Sequence, residues 1–281
     1  MKLYERDYLL GPNEIEKNQF YEILEKEKDI MGSEFGVRKN LWSKYPLAIQ
    51  NYLTLFPNNY FKLSRIDKKH AKSLNSQFKE MVHEKSTKER DISRFINKTP
   101  AFHIIQSIML YHPFGHHETY IFPEFSIGNG KFFADYLLVG KSSGGYHFVF
   151  VELEAVNGRT TIKSGYDGEN TRAGYIQIRD WKYEIESNYS SLTEEFKKYM
   201  KKGNDKLLDD YQKHARLTIK DIPEEFIRYD SSRFFYYVIT GLRSDYNDVT
   251  YRENRKTLKE QGINKIHYDN LCEWSDIIIS K

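Results

Sequence analysis

The chain has 281 residues, 39% of them hydrophobic and 15% aromatic, which is enough to build a large core and too much for a disordered protein. Its single cysteine, Cys272, excludes an internal disulfide framework and a paired-cysteine metal site. The charged opening Met1-Lys2-Leu3-Tyr4-Glu5-Arg6-Asp7, and the lack of an apolar run long enough to span a bilayer, predict a soluble cytoplasmic protein with no membrane attachment. A net charge of +3 excludes a polycation. Even so, Lys62 to Arg90 holds nine Lys/Arg against four Asp/Glu, a local excess of +5 that suits either a phosphate backbone or a solvated helix face.

In chain order, Asn13 to Leu24 reads as a helix with Ile15, Phe20, Ile23 and Leu24 on one stripe. A second helix is expected over Leu41 to Leu55, stopped by Phe56-Pro57-Asn58-Asn59, and a third over Arg65 to Glu84. Asp91 to Pro100 leads into a helix through Leu110, with Ile104, Ile105, Ile108 and Met109 on its apolar side, and Pro113 and Gly115 end it. Three strands follow, Thr119 to Ile127, Phe132 to Val139 and Tyr146 to Ala155, joined by turns at Gly128-Asn129-Gly130 and Gly140 to Gly145. A polar glycine-rich loop covers Asn157 to Asn170, a helix Thr171 to Asn188, and a charged helical insertion Leu192 to Leu217. The pattern closes with a strand over Phe234 to Leu242, a helix over Arg252 to Gln261 and a short strand over Lys265 to Tyr268. Cys272 is expected to be buried in a C-terminal tail. The order is that of an α/β or α+β sandwich.

The chemistry lies in the carboxylates Glu124, Asp135, Glu152 and Glu154. Side chains at i and i+2 share one strand face, so Glu152 and Glu154 point together while Val151 and Leu153 point away. Closing the Gly140–Gly145 turn brings Asp135 beside Glu152. Like charges so close repel and raise one another's pKa, and a divalent cation with hard oxygen ligands reverses that cost. A single acid of this kind is more often an exposed salt-bridge partner; an ordered set on adjacent strands points to metal-assisted phosphodiester chemistry.

Asp135, followed by Glu152-Leu153-Glu154 at the end of an apolar strand, resembles the PD-(D/E)xK nuclease superfamily. More narrowly, the region from about Ile92 to Asn270 is similar to the Shedu-type nuclease domain of bacterial anti-phage defence. The likeness rests on the "FINKTP" helix, the "PEF", "ADYLLV" and "FVFVELE" strands, the "AGYIQIRDWKYEIESN" helix and the late "YYVITGL" and "INKIHYDNL" pair. It implies an α/β fold: a PD-(D/E)xK-like core over 91–281, with a mixed β-sheet flanked by helices and a helical insertion around 190–218. Residues 1–90 are left as a mostly helical region for regulation or nucleic-acid sensing.

The resemblance further implies Mg2+- or Mn2+-dependent endonucleolytic cleavage of DNA, with RNA also admitted, by a homo-oligomer. Asp135 and Glu152 are the implied metal ligands, Glu124 is an accessory acid, and Gln177, four residues before Trp181, borders the site. Where the superfamily places a lysine two residues after the glutamate, this chain has Glu154. A carboxylate there can accept a proton or bind a second metal but cannot stabilise phosphate charge. That leaves open a catalytically degenerate nucleic-acid-binding or regulatory protein, and leaves Lys163 as a candidate source of the missing positive charge.

Other patterns carry less. His112, His116 and His117 are interrupted by Pro113 and Gly115, so no i, i+4 metal pair can form on a helix, and a loop or packing role is expected. The glycine pairs precede strands rather than helices, which argues against nucleotide binding, and no Gly-x-Ser-x-Gly elbow exists.

Overall fold

The computed structural model describes residues 3–29, 43–200 and 222–281. The chain divides into two compact units: one of residues 61–195 and 225–281, the other of 2–60 and 196–224. In chain order the helices are α1 (Glu14–Asp29), α2 (Pro46–Leu53), α3 (Lys68–His83), α4 (Glu89–Lys98), α5 (Phe102–Gln106), α6 (Glu169–Ser187), α7 (Tyr189–Tyr199), α8 (Asp248–Gln261) and α9 (Tyr268–Ser280). The strands are β1 (Glu118–Ile127), β2 (Phe132–Ser142), β3 (Gly145–Leu153), β4 (Phe234–Ile239) and β5 (Ile263–Ile266).

The larger unit is an α/β structure around one five-stranded mixed sheet of order β1-β2-β3-β4-β5. The first three strands form an antiparallel meander, and β3, β4 and β5 run parallel through helical crossovers. Central strand β3 is buried on both faces from Phe148 to Leu153, as its near-continuous apolar run requires. Helix α6 covers one sheet face because its buried residues Gly174, Tyr175, Ile178, Trp181 and Ile185 recur at helical spacing. Trp181 packs on Phe150, ring centroids 6.5 Å apart. From the other face, the Tyr136 hydroxyl donates to Asn97 of α4 at 3.0 Å, and α9 packs on α3 through Ile278, Ile279 and Ala71.

In the smaller unit, Asn13 and Glu16 cap α1 reciprocally: Glu16 N–H donates to Asn13 Oδ1 at 2.9 Å and Asn13 N–H to Glu16 Oε2 at 3.1 Å. Phe20 of α1 stacks on Tyr52 of α2 at 4.1 Å.

Several elements differ from the sequence expectation. The stretch expected to lead into the helix through Leu110 is itself helical, α4, which stops before Thr99-Pro100 because proline has no N–H to continue the ladder. It resumes as α5 and a 3-10 turn over Ser107–Tyr111. The last strand lies at Ile263–Ile266, ahead of the expected Lys265 to Tyr268, and the expected tail is helix α9, in which Cys272 is a buried free thiol. Residues 61–90, grouped with the N-terminal region on sequence grounds, lie in the larger unit. Of the insertion expected over Leu192 to Leu217, the first part continues α7, while 201–221 lie outside the described residues, as do 41 and 42 of the second expected helix.

Candidate acidic site at the strand ends

The β2–β3 ladder ends at Tyr136↔Val151. One residue further the register sets Asp135 opposite Glu152, and Asp135 takes over the ladder's role: Leu153 N–H donates to its Oδ2 at 2.7 Å. On the far side of β3, Glu154 N–H donates to Ile239 O at 2.8 Å, tying the strand end to β4. Successive N–H groups thus alternate between a side chain and a strand, fixing the backbone from which Glu152 and Glu154 project. Glu152 is only 6% exposed, and its Oε2 is buried without a hydrogen-bond partner.

The electrostatics follow from this burial. The Glu152 carboxyl is pushed up to about 10, first by burial and then by the neighbouring charges of Asp135, Glu154 and Glu89. Burial likewise pushes Asp135 up to about 7, against the opposing pull of the Leu153 N–H. Glu154 rises to about 7 through burial and then through Glu89 and Asp135. Glu89 is raised too, by its own burial. A buried acid with an orphaned oxygen among like charges is costly unless protonated or paired with a cation.

Helix α6 lies close over this cluster because residue 174 is glycine. A Cβ there would stand 3.0 Å from Glu154 Cγ and Val238 Cγ1 and 3.1 Å from Glu154 Oε1. Beneath, the Tyr268 hydroxyl donates to the Glu154 carbonyl at 2.7 Å, and burial with the four acids around it drives its own pKa up.

Of the residues singled out from sequence, Asp135, Glu152 and Glu154 come together. Glu124 stands opposite Asp135 in the β1–β2 register and adds to the field on it, but its side chain is exposed. Its φ is 51° and the ladder skips this pair, with the register unchanged on either side, while Phe122 and Phe125 meet edge-on at 5.6 Å. Gln177 is half-buried one turn beyond Gly174 and, among the described residues, makes no side-chain hydrogen bond. Lys163 is exposed and, among the described residues, unpaired. His112 packs between aromatic rings, with Nε2 2.9 Å from the Tyr237 hydroxyl, and burial pushes it down to about 4, while His116 and His117 are exposed.

Sequence reasoning missed Glu89. It opens α4, far away in the chain, and its only local signal is an acid in a helix first turn. It also missed Lys265, whose side chain is fully buried in an ion pair with Asp167.

Among the described residues no three His, Cys, Asp or Glu side chains are already drawn into a metal-holding set. The donors offered are the pair Asp135 and Glu152, with Glu154 and Glu89 around them. That set fits Mg2+, which keeps several waters and binds through one or two carboxylates, and the unpartnered Glu152 Oε2 is a ready hard ligand.

An α/β sheet with carboxylates gathered from β2, the end of β3 and the start of α4 defines the class of this molecule. Within that class the chain belongs to the Shedu family: residues 86–272 match the family described as Shedu protein SduA, C-terminal, which makes this a Shedu-type anti-phage protein. No curated protein matches the chain. Among the described residues no helix is long and apolar enough to cross a membrane.

Proposed function

We propose that this anti-phage protein is a Mg2+- or Mn2+-dependent endonuclease that hydrolyses DNA phosphodiester bonds at the Asp135–Glu152–Glu154 cluster. The observation that carries this reading is the set of buried, mutually repelling carboxylates whose innermost member, Glu152, leaves Oε2 without a partner. A divalent ion bound there supplies Lewis-acid polarisation of a phosphoryl oxygen and eases deprotonation of the attacking water.

The chain's own groups divide the remaining work. Asp135 is oriented through Oδ2 by the Leu153 N–H, which leaves Oδ1 for the cation. Glu152 supplies the second ligand oxygen. Glu154, with its carboxyl near pH 7, accepts the proton of the attacking water at neutral pH, the role left open by the missing lysine. Glu89 and Glu124 deepen the negative field, and Gln177 orients water or phosphate from α6. A homo-oligomer would set one such centre on each strand of a duplex, with the N-terminal helices serving nucleic-acid sensing.

The test is cleavage of plasmid and linear DNA in Mg2+ or Mn2+ by wild type, Asp135→Ala and Glu152→Ala. Loss of nicking in both variants is expected, and nicking that persists unchanged removes the site. The second reading, a degenerate binding protein, is favoured by Glu154 in the lysine position; wild type that binds DNA and cuts no nucleic acid would establish it.

A further inference from the structure

The glycine-rich loop between β3 and α6 is not a slack connection. Residues 161–167 fold into a miniature hairpin. Thr161 and Asp167 form a bridge, Ile162 N–H donates to Tyr166 O at 2.9 Å and Gly165 N–H to Ile162 O at 2.8 Å. The hairpin is anchored from several directions. Thr161 Oγ1 donates to Asp245 O at 2.9 Å, Thr250 Oγ1 donates to Gly165 O at 2.8 Å, and buried Lys265 pairs with Asp167. Gly165 has φ +85°, and a Cβ there would lie 2.1 Å from Asn247 Oδ1, so the turn is seated against α8's cap.

This anchored tip nevertheless leaves Ile162 50% and Tyr166 48% exposed, with exposed Lys163 beside them. Apolar side chains held in fixed positions in water, rather than free to collapse, are preorganised for a partner. The charge of the loop is equally selective. Asp167 is neutralised by Lys265, and Glu169 by Arg159 at 2.7 Å. Of the charges in residues 159–172, those that remain unpaired among the described residues are Lys163 and Arg172, both cationic and both exposed. An aromatic ring and a branched aliphatic flanking an ammonium match an unpaired nucleic-acid strand, which offers base faces and phosphates in alternation. The hairpin also lies in the connection between β3, at whose end Glu152 and Glu154 stand, and the helix that covers them.

We infer that the 161–167 hairpin is a strand-positioning wedge, in which Tyr166 and Ile162 stack against an unpaired base and Lys163 holds the adjoining phosphate. The inference rests on the nuclease reading and names how that site receives its substrate: a locally unpaired strand, guided past a cluster that by itself repels phosphate.

The experiment is fluorescence anisotropy with a labelled single-stranded oligonucleotide and its duplex, at several salt concentrations. It uses the full chain carrying Glu152→Gln in Mg2+, so that the probe stays intact. Added Tyr166→Ala is expected to weaken single-strand binding about tenfold, and Tyr166→Phe to restore it. Added Lys163→Ala is expected to lower the salt slope by about 0.7. Tyr166 and Lys163 are both exposed, so melting temperatures unchanged from the Glu152→Gln protein confirm folding. Binding unaltered by Tyr166→Ala and Lys163→Ala, in a protein whose wild type cuts DNA, overturns the wedge alone. A loss on duplex only, or a loss of self-association with DNA binding intact, assigns the tip to a groove or to a second copy and also overturns it. Failure of the starting protein and of wild type to bind any nucleic acid overturns the wedge and the nuclease reading together.

Discussion

Glu152 concentrates the molecule's main electrostatic liability. Its carboxyl is raised in the folded state, to about 10, above the unfolded value near 4.5. Between those two pH values the native state holds more protons than the unfolded one, so stability falls as pH rises. Asp135 and Glu154 add slopes of the same sign between about 4 and about 7. Metal-free protein should therefore lose melting temperature from pH 5 to pH 9, and Glu152→Gln should flatten that slope. At pH 8 the variant is expected to be more stable by about 2 kcal/mol and inactive, the pattern of a site that trades stability for function. Parallel pH–melting curves for both proteins would remove Glu152 as the source. Glu124 gives a second residue-scale expectation. Its left-handed backbone, φ 51°, costs about 1 kcal/mol for a residue with a side chain. Glu124→Gly should raise stability while lowering cleavage; unchanged cleavage in a nicking assay contradicts an accessory role, and lower stability in a denaturant melt contradicts the strain.

At the scale of elements, the acids on β2 and β3 were legible because strands have period two and their turns are marked by Gly128, Gly130, Gly144 and Gly145. Glu89 was not, because its proximity comes from α4 packing beside the strand ends, a tertiary fact with no local trace. The same limit explains Lys163 and Lys265. Sequence offered Lys163 as the stray cation of the glycine-rich loop, whereas the buried lysine comes from β5 and is spent on holding that loop. Helix α9 was hidden because Ile277-Ile278-Ile279 reads as a β-branched run, and only packing on α3 makes it helical. Lys265→Met strands the mostly buried Asp167 without a partner and should cost about 3 kcal/mol in chemical denaturation, with loss of the ordered hairpin. A change under about 0.5 kcal/mol, the scale of ordinary surface substitutions, would show that the loop stands without it.

At the scale of the whole molecule, the larger unit is a Shedu-family α/β structure whose sheet and helices converge on one acidic centre, and the smaller unit is helical. We propose this centre as a divalent-cation site. The most direct measurement is calorimetric titration of Mn2+ into metal-free wild type and Glu152→Gln near pH 7, in buffers of different ionisation enthalpy. Because Asp135, Glu152 and Glu154 are raised to about 7, 10 and 7, a cation must displace protons from them, so wild type should bind with proton release and Glu152→Gln should lose most of its affinity. Equal binding by both proteins, or no binding by wild type, contradicts the account.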